Sequence, residues 1–275
     1  YVTGRHDGGD TSGWAVKAGD RYTDVSTLTE VDAFPLAVKQ VEGHPMLVTE
    51  SLWVPPTAYE SEGPFLISAM QSLGGVAGYY WFFLGDAGTW EQPHSANGYL
   101  PSISKWSANS PMILGQFPAA ALMYRLGYVE PAGTTAVTEH RPPDDLWQRK
   151  APRIAEESGF DPNRDTVRTT ATAGGDISPL AFLVGKVAVA YDDGADHVPD
   201  LSQHIDSAAR TVTDLTGALT WNYGDGIARL DTPTAQGVTG FLAKGGGRYR
   251  LSDCEIVSSD DYATVLLVSR DGQAL

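Results

Sequence analysis

The stretch HPMLVTESLWVPPTAYESEGPFLISAMQSLGGVAGYYWFFLGD, His44 to Asp86, carries the fold signal of this chain. Its first part, HPMLVTES (His44 to Ser51), is a short apolar, β-branched run closed by polar residues, the pattern of a buried parallel strand. A helix follows, with Phe65, Leu66, Ala69, Met70 and Leu73 at helical spacing, acids in the first turn and Gly74-Gly75 as its stop. AGYYWFFLGD (Ala77 to Asp86) then reads as a second apolar, aromatic strand. Strand, helix, strand is the unit of α/β folds built on a parallel sheet.

Working outward, SPMILGQFPAAALMYRLGY (Ser110 to Tyr128) reads as a further apolar helix that Pro118 should kink. Beyond Tyr128 the composition turns Pro-, Thr- and charge-rich, which reads as connecting and surface segments with at most a short helix. From Leu180 onward, short runs such as LAFLVGKVAVAYDD, TWNYGDGIARLDTP and YATVLLVSRDG alternate with Gly/Asp turns, the signature of an antiparallel sandwich. The expected organisation is an α/β domain over residues 1–128, then a linker and β-sandwich domain over 129–275.

Composition narrows the partners. The 275-residue chain is 42% hydrophobic, enough for substantial cores, and carries 19 Lys+Arg against 34 Asp+Glu, a formal charge of −15. That charge disfavours nucleic acid and an anionic membrane surface, both of which select a basic face. No run approaches the ~18 apolar residues of a membrane span. The single cysteine, Cys254, excludes an internal disulfide and any multi-cysteine metal site. No dinucleotide, phosphate-loop, zinc-protease or serine-elbow motif occurs, so no cofactor and no metal is expected. The acidic YDDGADHVPD (Tyr191 to Asp200) breaks the EF-hand pattern and reads as a solvated turn. Localisation stays open, with an extracellular or periplasmic setting favoured, although the acidity equally fits many cytosolic proteins. The start at Tyr1 and the end at Leu275 read as cuts in a longer protein.

Three glutamates crowd the decisive stretch. Glu50 is the first carboxylate after the apolar run, at the C-terminal end of its strand, where reactive groups of parallel α/β folds collect. Glu60 and Glu62 fall near the start of the next helix, where exposed N–H groups and the helix dipole favour acids. Trp53 and Trp90, in loops beside polar residues, are candidates for ligand contact, whereas Trp81 sits in an apolar run and equally reads as core. His6 falls at or just after the end of an earlier strand as a hydrogen-bonding candidate. A strand-end carboxylate surrounded by tryptophans points to carbohydrate, because indole faces stack on sugar C–H faces.

These residues resemble the C-terminal part of the (β/α)8-barrel glycoside hydrolases that retain anomeric configuration (clan A). The resembling pieces are YVTGRH, HPMLVTESLWVPPTAYESEGPFLISAMQSLGGVAGYYWFF, KWSANSPMILGQFPAAALMYRLGYV, and LDTPTAQGVTGF with YATVLLVSRDG. The resemblance implies the C-terminal portion of a (β/α)8 barrel followed by an antiparallel β-sandwich. It implies that MLVTE is the seventh strand, with Glu50 as nucleophile, and that the YYWFF run places Trp81 under a sugar ring. His6, Trp53 and Trp90 would line the substrate site. The acid/base of such enzymes usually follows an Asn at the end of the fourth strand; no Asn-Glu pair occurs here, so that strand would lie upstream of Tyr1. The alternative is a non-catalytic carbohydrate-binding or cell-surface protein on a degenerate barrel.

Overall fold

The computed structural model describes residues 2, 5–7, 15–17, 21–82, 84, 102–104, 108–148, 150–154 and 177–275. Two small antiparallel ribbons come from the N-terminal region: β1 (Arg5–Asp7) with β3 (Arg21–Thr23), and β2 (Ala15–Lys17) with β7 (Ser102–Ser104). After the two-residue β4 (Gln40–Val41) come β5 (Leu47–Ser51), helix α1 (Glu62–Gly74) and β6 (Gly78–Trp81). β5 and β6 pair in parallel across the helix, as the sequence pattern predicts. Val2 joins the same row through a parallel bridge to Trp53, just past the end of β5.

All thirteen residues of α1 are buried, more than its one-sided apolar spacing requires. One flank packs on the parallel strands and others on the next helices and the C-terminal sheet. Its interior serines are satisfied within the helix: Ser68 Oγ donates to the Pro64 carbonyl at 2.7 Å and Ser72 Oγ to the Ser68 carbonyl at 2.9 Å. Gly75, at φ +64°, ends the helix in the left-handed conformation, its N–H returning to the carbonyls of the last turn.

The Ser110 to Tyr128 run is two helices rather than one kinked helix: α2 (Pro111–Leu114) and α3 (Phe117–Arg125). Ser110 caps α2, accepting the Ile113 N–H. Pro118 lies in the first turn of α3, where its missing N–H would have no helical partner, so the chain restarts at the proline instead of bending around it.

Residues beyond Tyr128 depart further from expectation. β8 (Val137–His140) lies in the region read as connecting, and α4 (Pro143–Trp147) is the short helix that follows it. In LAFLVGKVAVAYDD, read as strand throughout, Ala181–Val184 forms helix α5 and only Val187–Ala190 is strand, β9. A four-residue apolar run does not distinguish the two states by period, and Gly185 separates them here. β9 joins a parallel sheet in the order β4-β9-β8, fully buried as such strands are.

The expected antiparallel structure begins at β10 (Ile205–Asp206). It continues through β11 (Thr211–Thr213), β12 (Leu219–Asn222), β13 (Ile227–Asp231) and β14 (Ala235–Gly240). After the hairpin of β15 (Arg248–Arg250) and β16 (Glu255–Val257), β17 (Ala263–Val268) completes a six-stranded sheet in the order β10-β11-β12-β13-β14-β17. Ile227 and Val238 on one face join Tyr249 and Ile256 of the hairpin in a small core. Against the other face lie α1 and α3, within a larger cluster that runs from Val2 and Phe65 to Trp221 and Ala235. The fold is therefore mixed α/β and antiparallel β. Among the described residues, parallel pairing is confined to the β5–β6 row with Val2 and to β4-β9-β8, and no closed barrel is formed.

β14 is buried at all six positions, yet reads Ala-Gln-Gly-Val-Thr-Gly. The small residues admit the helix: a Cβ at Gly237 would lie 2.4 Å from the Val265 carbonyl oxygen and 2.8 Å from Phe65 Cε2 on α1. Backbone cannot yield as a flexible side chain can, so Gly237→Ala is expected to cost roughly 1–3 kcal/mol in urea unfolding. Gly133→Ala, whose Cβ meets nothing within 4 Å, should stay within about 0.5 kcal/mol of wild type.

Candidate functional site

The C-terminal end of β5 contains an irregularity that decides where Glu50 points. Leu47 pairs with Gly78, Val48 with Tyr79 and Ser51 with Trp81, so three steps along β5 span two along β6. Thr49 and Glu50 together oppose Tyr80, which is a β-bulge. Strict alternation would carry Glu50 to the side of Val48, which packs against the core cluster beside α1. The extra residue instead leaves both Thr49 and Glu50 exposed and returns Ser51 to the interior. Tyr80 (60% exposed) and Leu47 (49%) share this outward face. The Glu50 carboxylate accepts no hydrogen bond and forms no ion pair among the described residues.

On the opposite side the aromatic residues form a packed stack. Trp53 is fully buried, and its ring centroid lies 5.8 Å from that of Trp81 with the planes 29° apart. Trp81, half-buried, also meets Tyr79 at 5.2 Å and Phe117 at 5.4 Å. Trp53, expected to contact a ligand from a loop, is thus enclosed in the core, because the chain after β5 stays extended to pair with Val2. The side chain exposed beside Glu50 is Tyr80, one position before the Trp81 that the resemblance places under the sugar. His6 lies in β1, paired with Tyr22; Trp90 lies outside the described residues.

Glu60 and Glu62 lie at the start of α1 as expected, but both are buried, so the helix dipole is not what holds them there. Glu62 is in the first turn of α1, yet is fully buried, and its carboxylate is hydrogen-bonded by groups from outside the helix. Oε1 accepts the Thr27 N–H (2.7 Å), the Thr27 hydroxyl (2.8 Å) and the Trp53 indole N–H (2.9 Å). Oε2 accepts the hydroxyls of Ser26 and Tyr262, both at 2.6 Å. Burial pushes the carboxyl pKa up, and the hydrogen bonds oppose it. Burial raises the Tyr262 phenol well above its usual value, and the neighbouring Glu62 charge raises it further, so it stays a donor. Five donors from three other segments replace the water this carboxylate lost.

Glu60, equally buried, is served less fully. The Ser110 hydroxyl donates to Oε2, while Oε1 has no partner among the described residues. Burial pushes its pKa up to about 7 against the downward pull of Ser110. The helix dipole alone gave no signal of either burial; the proximity of Glu60 and Glu62 to an otherwise apolar helix was the only trace in sequence.

The acidic Tyr191–Asp200 segment is a hydrogen-bonded turn. Asp192 meets His140 Nδ1 and the Gly194 N–H, Asp196 meets the His140 N–H and Arg153, and Asp200 holds Ser202. No group of three or more His, Cys, Asp or Glu side chains suited to a metal ion occurs among the described residues. Nor is any described helix long and apolar enough to cross a membrane.

Comparisons with known protein families, with curated protein sequences and with solved structures return no match.

Two outcomes test the buried acids. Tyr262→Phe should cost about 1–2 kcal/mol and Glu62→Gln roughly 3 kcal/mol or more in denaturant unfolding. The double variant should be less destabilised than the sum, since both remove one contact. For Glu60 the folded pKa lies above the unfolded value, so its contribution is complete below about pH 4.5 and is lost as pH rises through about 7. Wild type should therefore lose about 3 kcal/mol over that window relative to Glu60→Gln, read as the difference between their stability–pH curves.

Proposed function

We propose that this chain is part of a retaining glycoside hydrolase acting on a poly- or oligosaccharide, with Glu50 as nucleophile. The observation that carries the proposal is the bulge: it turns one carboxylate at a parallel-strand end away from the core and onto an open face beside an exposed tyrosine. Bulges recur beside active sites, where the extra residue bends the strand and re-aims a side chain. Parallel sheets are ordinarily covered on both faces, so exposed Leu47 and Tyr80 opposite α1 fit one wall of a larger β/α assembly. The parallel row Val2, β5, β6 fits successive strands of a (β/α)8 barrel.

In this reading a Glu50 carboxylate oxygen attacks the anomeric carbon and forms a glycosyl ester as the glycosidic C–O bond breaks. The leaving oxygen takes a proton from a second carboxyl group about 5 Å away. That group, now carboxylate, removes a proton from water, whose oxygen attacks the same carbon and releases Glu50 with the configuration retained. The acid/base is proposed to come from a part of the longer protein outside this sequence. Tyr80 takes the sugar-contact role, with Trp53 and Trp81 as the packed support beneath the strand ends. His6 and Trp90 are retained as proposed substrate contacts.

The test uses the full-length protein against a panel of glycans. Glu50→Gln should lower turnover by on the order of 10⁴-fold, and azide should restore a glycosyl-azide-forming activity to Glu50→Ala. Tyr80→Ala should raise KM about tenfold with a smaller effect on kcat. Unchanged hydrolysis in Glu50→Gln would remove Glu50 from the mechanism; glycan binding without hydrolysis in wild type would favour the non-catalytic reading.

A further inference from the structure

The six-stranded sheet ends in two unlike edges. β10, at one side, is two residues long, and so short an edge offers little for another chain to pair with. β17, at the other, runs for six residues and pairs with β14 in unbroken register from Ala263↔Gly240 to Val268↔Ala235. Both of its faces are occupied. Ala263 and Val265 join the core of the β15–β16 hairpin, while Leu266 and Val268 join the cluster beside α1 and α3. Every residue of β17 nevertheless keeps some exposure, Leu267 as much as 40%, whereas β14 is buried throughout. The lateral edge of β17 is what lies open.

Hydrogen-bond parity identifies the groups on that edge. The Ser269 N–H donates to the Thr234 carbonyl at 2.9 Å, so Ser269 faces inward, and by the alternation of an antiparallel ladder so do the backbone groups of Leu267, Val265 and Ala263. The N–H and C=O groups of Thr264, Leu266 and Val268 therefore point to the free side, where no strand pairs with them among the described residues. Edge strands are commonly blunted by a lysine, a proline, an inward-pointing charge or a bulge. Tyr262 to Ser269, YATVLLVS, contains no charge and no proline, and its register with β14 has no bulge.

We infer that β17 is a self-association edge, onto which a second copy of this chain adds its own β17 antiparallel, making one continuous sheet across a twofold axis. Such an axis sets one residue opposite itself. Centred on Val265, it lets Thr264 of one copy exchange both backbone bonds with Leu266 of the other, and it brings the two Val265 side chains together as a close β-branched pair. In that register the exposed Leu267 lies opposite the small Ala263, so the apolar surface left open on one copy is covered by the other. Charge selects the same occupant. Asp260 and Asp261 precede the strand and Arg270 follows it, all exposed, so antiparallel pairing carries the acidic end of each copy to the arginine of the other. The formal charge of −15 does not oppose this contact, because the paired segment itself is uncharged. Nothing in the arrangement depends on Glu50, which belongs to the β5–β6 pair.

The test is sedimentation equilibrium of the full chain over a wide concentration range, where a monomer–dimer equilibrium is expected. Leu267→Lys places a charge on the open edge at an exposed position and should weaken the dimer by about tenfold or more. Arg270→Asp should weaken it as well, and combining Arg270→Asp with Asp260→Arg should recover most of the loss, because the exchange restores opposite charges at each end. Thermal unfolding of each variant verifies folding. Amide hydrogen exchange reads the edge itself: Thr264, Leu266 and Val268 should exchange freely in dilute solution and become protected where the dimer forms, while Val265 and Leu267 are protected in both. A chain that stays monomeric at every concentration would overturn the inference and leave the edge to a different partner. So would a dimer that survives Leu267→Lys unchanged, or one in which the Thr264, Leu266 and Val268 amides still exchange freely.

Discussion

A single carboxylate, that of Glu62, draws together parts of the chain as far apart as Ser26 and Tyr262. The Ser26–Thr27 loop, the segment after β5, the first turn of α1 and the loop before β17 all meet on its two oxygens. A carboxyl group taken out of water is strongly destabilising unless its lost hydrogen bonds are replaced, and here five protein donors replace them. The arrangement is directional. Each donor must arrive from its own element at hydrogen-bond distance, so the position of the six-stranded sheet against α1 is tied to the same atoms that seat Trp53. Tyr262 and Trp53 thereby become mutually dependent without touching the open face at Glu50.

That dependence separates the two sides of the β5–β6 pair. On the core side, Trp53, Trp81, Tyr79 and Phe117 form a continuous aromatic layer. On the outer side stand Thr49, Glu50 and Tyr80. The bulge is the junction, because one inserted residue changes the face of everything after it while the strand itself continues.

Much of this arrangement was legible before any coordinates. The βαβ unit followed from its apolar runs, the end of α1 from Gly74-Gly75, and the antiparallel sheet from the close spacing of its turns. What escaped was set by partners distant in sequence. Glu60 and Glu62 looked like acids placed for a helix dipole because a helix start is local, whereas Tyr262 and Ser110, which receive them, are not. Trp53 looked like a loop residue because its extended pairing is with Val2. Pro118 looked like a kink because a one-dimensional pattern does not show that Gly115 and Gln116 leave the first helix before the proline begins the second.

By itself the sequence determined the strand–helix–strand unit around α1, where α1 stops, the antiparallel character of the C-terminal region, and that Glu50 falls at the end of its strand. Those properties depend on steric preferences and apolar periods spanning a few residues. Only the tertiary structure decided that Glu60 and Glu62 are buried while Glu50 is exposed, which aromatic ring is open beside Glu50, and that Val187–Ala190 belongs to a parallel sheet. A residue's exposure and the pairing of its strand are set by contacts between segments tens to hundreds of positions apart, and no local pattern records them.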